Sequence, residues 1–180
     1  MSVPERYRLP VAAIASLAVV AVVVAAILFV GSPAPSPDGT PTPTTVASQT
    51  LDVTTPEGAV RAFFAAFAQA RRTDDPLLMR PFVTGEQSSA YLSVQGFLLG
   101  EKAVKKASVL TVQQLDDITV ETAGTTSTVR LAYTEGGYNI SLDTGQPIET
   151  PNVLAPRNVT VELRQIDGRW LVDSYEARPQ

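Results

Sequence analysis

The chain predicts an α+β protein: an N-terminal transmembrane helix, then about three helices packed on a curved, mainly antiparallel sheet. Three observations carry this. Val11 to Val30 runs 20 residues without a charge. After Thr55 the apolar residues recur with the helical period. Beyond about Ser108 that period falls to 2, the signature of half-buried strands.

The first segment holds only Val, Ala, Ile, Leu, Phe and Ser16. A helix of that length spans roughly 30 Å, the thickness of a bilayer's hydrocarbon core. Arg6 and Arg8 precede it and no Lys or Arg follows until Arg61, so the excess of positive charge places the N-terminus in the cytoplasm. A cleaved signal peptide is the competing reading, but its apolar run is normally shorter and ends in a small-residue cleavage site. Here Gly31-Ser32-Pro33-Ala34-Pro35 follows. Ala12, Ser16, Ala21 and Ala25 form small-residue pairs that let helices approach, although an alanine-rich span produces such pairs by chance.

The expected organisation is a cytoplasmic tail over 1–10, a transmembrane helix over 11–30, a Pro/Thr-rich disordered linker over 31–54 and an extracytoplasmic domain over 55–180. The linker rests on Pro33, Pro35, Pro37, Pro41 and Pro43, a density that removes backbone donors and favours extended chain. Such spacers resemble those of extracytoplasmic proteins from Gram-positive bacteria with GC-rich genomes.

Within the domain, Thr55 caps a helix with Pro56 at its first position and Glu57 in its first turn. Val60, Phe63, Phe64 and Phe67 form its buried stripe, leaving Arg61, Gln69, Arg71 and Arg72 to the solvent side and the last turn. Thr73-Asp74-Asp75-Pro76 starts a second helix of about two turns, limited by Pro81. Glu86 to Leu99 reads as a third, with Tyr91, Val94 and Leu98 on one face and Gly100 at its end. Strands follow over Val109 to Leu115 and Ile118 to Thr122. Ala123-Gly124 turns the chain into a strand from Thr126 to Tyr133. Glu135-Gly136-Gly137 reads as another turn, with a short strand around Tyr138 to Leu142 after it. Asp143 to Asn158 is expected to be a long loop. Val159, Val161 and Leu163 alternate next, and Asp167-Gly168 signals a hairpin whose return strand carries Trp170 and Val172.

With this pattern laid out, a resemblance emerges. Thr55-Pro56-Glu57-Gly58-Ala59-Val60-Arg61-Ala62-Phe63-Phe64, the short helices, the paired strands and the closing Asp167-Gly168-Arg169-Trp170-Leu171-Val172 resemble the nuclear transport factor two-like (cystatin-like cone) superfamily across nearly all of 55–180. Among anchored members the chain is similar to actinobacterial Mce-associated and conjugation-associated extracytoplasmic domains. The resemblance implies a cone-like sheet around a cavity, and enzymes of the superfamily use an Asp with a His or Tyr inside it.

Zero His and zero Cys exclude that Asp/His pair, along with Ser-His-Asp triads, thiolate nucleophiles, ordinary zinc sites, disulfides and lipidation of a leading cysteine. A net charge of -4 argues against nucleic acid as partner, since its binders need a basic face. What remains is an Asp base with a Tyr donor, drawn from Asp116, Asp117, Tyr91, Tyr133, Tyr138 and Tyr175. Against that, Asp116-Asp117 reads more simply as a solvated turn or strand edge, and the tyrosines as core or interface aromatics. No catalytic residue, cofactor or metal ligand is therefore assigned. Tyr91, Tyr133 and Trp170 are the candidates for lining a cavity. Lys102, Lys105 and Lys106 suit the negative end of the third helix. The expected function is a non-enzymatic interaction or assembly module of the cell envelope, held to the membrane through Val11 to Val30, with an envelope protein or a second copy as partner. The alternative is a small-ligand or lipid-binding cone, with an Asp/Tyr enzyme behind it.

Overall fold

The computed structural model describes residues 52–180. The expected tail, transmembrane segment and nearly all of the linker lie outside the described residues. Among the described residues no helix is long and apolar enough to cross a membrane.

Helix α1 spans Pro56–Thr73, and the Thr55 hydroxyl accepts from the Gly58 amide as the N-cap requires. Asp74 ends it in the left-handed conformation, φ 51°, its amide reaching the Ala70 carbonyl. The Asp75 carboxylate then accepts from the Leu77 amide and opens a 3-10 helix over Pro76–Phe82. This is the expected short second helix, in the tighter form that suits one turn or two.

Helix α2, Ser89–Ala103, departs from the sequence reading at both ends. Ser88, not a residue before Glu86, is the cap, its hydroxyl accepting from the Tyr91 amide. Gly100 lies inside the helix. It makes no close contact, and the turn falls at Lys105, φ 56°. An interior glycine costs a helix only about 1 kcal/mol, which the buried Tyr91, Val94 and Leu98 outweigh.

The strands are β1 (Lys106–Ala123), β2 (Thr126–Ser141), β3 (Asn152–Val153), β4 (Arg157–Ile166) and β5 (Arg169–Pro179). The sheet runs β1-β2-β4-β5, with β3 on the far end of β2. Every strand pairing is antiparallel. The two expected strands over 109–122 are one strand bent at two bulges, between Leu110 and Val112 and between Asp116 and Thr119. Asp117 takes φ 51° at the second, a conformation aspartate tolerates better than most residues.

The expected turn at Glu135-Gly136-Gly137 is absent, because β2 passes straight through it. Gly137 pairs with Leu110 on one side and Asn152 on the other. A Cβ there would collide with the Val109 carbonyl, and one on Gly136 would come within 2.8 Å of the Asn152 carbonyl. These glycines mark close backbone approach between strands, a use that sequence alone does not distinguish from a turn. The loop expected over Asp143 to Asn158 is interrupted by β3, which pairs with β2, and ends at Arg157 where β4 begins; its irregular parts are anchored. Ile148 N–H donates to the Asn139 carbonyl, and Leu154 N–H to that of Glu135, each at 2.9 Å.

Both α-helices pack on one face of the sheet. Val60, Phe63 and Phe64 of α1 and Val94 and Leu98 of α2 meet Val129, Val161 and Val172 in a single core. Trp170 belongs to that core, and its amide donates to the Val53 carbonyl at 2.8 Å, so the chain is already fastened to the sheet two residues before the cap.

Candidate functional site

Two hollows lie beside the last turn of α1, each lined by Arg71. One, about 150 Å³, is walled by Phe64, Phe67, Phe97, Tyr133 and Tyr175 with Arg157 at its edge. The other, about 290 Å³, lies between Ser108 to Leu110, Gly136 to Asn139 and the loop residues Glu149, Asn152 and Leu154. Arg71 and Glu135 line both, so their ion pair is the partition.

That pair is short, 2.7 Å, and each side chain is only 13% exposed. The Arg71 guanidinium lies over Phe97 at 4.9 Å and Phe67 at 5.6 Å, a cation held by ring faces as well as by a carboxylate. Sequence reasoning put Arg71 on the solvent side; the structure turns it inward. The signal was present, since 71 continues the stripe 60, 63, 64, 67 by one more step of four. A terminal arginine suits the helix dipole equally well, and that reading hid the other.

Glu135 also accepts from the Tyr133 hydroxyl at 3.2 Å, while Gln113 Nε2 donates to that hydroxyl at 3.3 Å and to the Phe64 carbonyl at 3.0 Å. Phe64 stacks on the Tyr133 ring at 4.7 Å. Burial foremost, with the Glu135 charge beside it, pushes the Tyr133 hydroxyl well above its ordinary range. Burial also raises Tyr175 from its ordinary value, opposed by Arg71 and helped by Glu135. Both phenols stay neutral, and the proton of Tyr133 is held by Glu135.

A second polar chain borders the larger hollow. Asn139 donates from its backbone N and its Nδ2 to Glu149 Oε1, at 3.0 and 2.7 Å, so its Oδ1 is the atom facing Ser108 Oγ at 2.9 Å. Ser108 has one hydroxyl hydrogen, and its Oγ also makes a very short contact with Glu101 Oε1, so that hydrogen is shared between Asn139 and Glu101. Burial raises the Glu101 pKa, with Glu135 and Asp74 adding and the Ser108 bond and Arg71 opposing. The same carboxyl's Oε2 is buried without a partner, which suits a neutral acid better than an anion.

Of the three candidate cavity residues, only Tyr133 lines a hollow described here. Tyr91 and Trp170 are buried in the core, 2% and 5% exposed, and Tyr91 packs from the first turn of α2. Asp116 and Asp117 sit exposed at a bulge on the edge strand β1, so the Asp/Tyr pairing weighed from sequence is not assembled with Tyr133. Tyr175 borders the aromatic hollow and Tyr138 the polar one. Lys105 pairs with Asp143 at 3.0 Å. Among the described residues no three ligating side chains come together for a metal. Sequence reasoning missed Gln113, Phe97, Glu101 and the partners of Glu135, because long-range pairing alone brings them together.

No protein-family model matches the chain, and no curated protein sequence matches it at a significant level. Solved structures do. The intermembrane-space region of the chloroplast protein ARC6 is similar over 72% of this chain and 98% of that one, with 14% identity and a TM-score of 0.54. A protein of unknown function with a cystatin-like fold from Nostoc punctiforme covers 69% and 90%, at 9% identity and a TM-score of 0.46. An NTF2-like protein with a cystatin-like fold from Novosphingobium aromaticivorans covers 68% and 80%, at 14% and 0.43. At such identities the likeness is one of fold: three helices against an antiparallel sheet, as in the first of these structures, the one whose score exceeds 0.5.

Proposed function

We propose that this chain is a single-pass membrane protein whose cone-like domain stands outside the cytoplasm and binds an envelope protein there without catalysing a reaction. The 20-residue uncharged segment, the arginines before it and the proline-rich spacer after it support the topology. The resemblance to Mce-associated and conjugation-associated domains supports the setting.

One observation carries the non-catalytic reading. The tyrosine best placed to act, Tyr133, donates its only proton to Glu135, and that carboxylate is tied to Arg71. A general base must have a free lone pair within reach of substrate, and an oxyanion donor a free proton. Here the Tyr133 proton and Glu135 Oε2 are both engaged inside the protein. The same features make a ready binding surface: exposed aromatic edge at Phe97, 40% exposed, a cation behind it, and a polar hollow alongside.

A photoreactive phenylalanine in place of Phe97, irradiated in intact cells, is expected to join the chain to an envelope protein. The same residue in place of Arg164, on an exposed position of β4, is not. Equal yields from both positions, or none from 97, would remove the proposal. A second reading has one observation in its favour: the aromatic hollow of about 150 Å³ has room for a single small ring. Resonance shifts of Tyr133 and Tyr175 on titration with a small aromatic compound would establish it, and their absence would dismiss it.

A further inference from the structure

Helix α2 is apolar on both sides. Its inner face buries Tyr91, Val94 and Leu98, yet the opposite face, formed by Ser89, Leu92, Ser93, Gly96, Leu99, Gly100 and Ala103, is exposed, and no charged residue occurs from Ser89 to Gly100. A helix that packs on one side normally carries charges on the other. Helix α1 does so with Glu57, Arg61 and Arg72. On α2, Leu92 and Leu99 are instead 47% and 57% exposed.

The arrangement of bulk along this face is self-complementary. Turned about a two-fold axis at Gly96, an antiparallel copy sets Leu92 against Gly100, Leu99 against Ser93, and Ser89 against Ala103. Each large side chain meets a small one, and a Cβ at Gly96 or Gly100 would touch nothing within 4 Å, so a second backbone has room to approach. A two-fold contact requires this reciprocity, residue i on j and j on i. Charge selects the direction. Lys102 lies in the last turn of the helix and Lys106 just after it, with Lys105 between them paired to Asp143, while Glu86, about half exposed and shared with Arg80, precedes it. Antiparallel packing brings Lys102 and Lys106 of one copy towards Glu86 of the other and opposes the helix dipoles; parallel packing would gather both copies of Lys102 and Lys106 at one end.

We infer that the outward face of α2 is a homotypic contact, in which two copies pack α2 antiparallel about Gly96. The occupant is a second copy of this chain, and the inference rests on the proposed binding role, whose partner it specifies for this face. The strip is about 22 Å long and one helix, about 10 Å, wide, well short of the roughly 800 Å² per partner of a standard stable interface. Pairing is accordingly weak in dilute solution and depends on the local concentration that a shared membrane provides.

The natural chain contains no cysteine, so single-cysteine variants of the full-length protein report the contact cleanly in membranes under mild oxidation. Gly96→Cys, at the axis, is expected to form a disulfide dimer about tenfold faster than Arg164→Cys on the sheet. Coexpressed Leu92→Cys and Gly100→Cys chains are expected to form the mixed dimer, and this pair decides the matter if Gly96→Cys fails to fold. Crosslinking at 96 no faster than at 164, with no mixed 92–100 dimer, would overturn the inference. So would Ser89→Cys dimerising alone as fast as Gly96→Cys, because that is the parallel arrangement. A photo-adduct from position 97 to an envelope protein, with Gly96→Cys remaining monomeric, would leave the binding role standing and remove the self-pairing.

Discussion

At the scale of single residues, the groups that decide the behaviour of the two hollows are buried carboxyls and one guanidinium. Burial raises the Glu101 pKa above its ordinary value. An acid whose folded pKa lies above its ordinary value, 4.5 for this glutamate, makes the folded state bind more protons than the unfolded one. Its contribution to stability is complete below the ordinary value and is lost as pH rises through the folded value. Asp74, raised by burial and opposed by Lys102, acts in the same direction. Denaturation midpoints measured from pH 4 upward are therefore expected to fall for the natural protein. In Glu101→Gln, which removes that titration, they should fall less, with the remainder from Asp74. An unchanged slope would mean that Glu101 does not titrate above its ordinary range. For the partition, Arg71→Met leaves Glu135 buried without its cation and is expected to cost about 3–5 kcal/mol. Arg71→Met with Glu135→Gln should recover most of that loss, and a double-mutant cycle in denaturant measures it.

At the scale of elements, glycines separate what the sequence revealed from what it concealed. Thr55, Asp75 and the Asp167-Gly168 hairpin act locally, through side chains bonding to neighbouring amides or through residues that tolerate positive φ, and each was legible. So was the stripe of α1. Gly100 and Gly137 were not, because their meaning lies in what surrounds them. Gly100 has open space and helical geometry, so Gly100→Ala is expected to stabilise by about 0.5–1 kcal/mol. Gly137 has the Val109 backbone against it, so Gly137→Ala must part β1 from β2 and should lower the unfolding midpoint far more than a surface substitution does. Thermal unfolding of the two variants checks both signs. The candidate site was the least legible part for the same reason. Arg71 and Glu135 are 64 residues apart in the chain, and no local pattern announces a pair formed only when α1 crosses β2. Tyr133 was singled out because strand alternation put it inside; Trp170 satisfied the same rule and Tyr91 the helical one, and both serve the core.

At the scale of the whole molecule, the domain supplies a packed α+β body whose two hollows hold aromatic rings, a sequestered cation and a buried carboxyl beside them. A binding surface, unlike a catalytic one, can keep such groups satisfied internally and still present their edges. The proposed arrangement outside the membrane gives that surface its access, and the whole account depends on it. The most direct measurement is labelling of intact cells with a membrane-impermeant maleimide, using Arg164→Cys in the domain and Ser2→Cys in the N-terminal tail. Arg164→Cys is expected to be labelled in intact cells, Ser2→Cys only after lysis, and both chains to remain in the membrane fraction. Labelling of Ser2→Cys before lysis, or recovery of the Arg164→Cys chain from the medium without its first thirty residues, would contradict it.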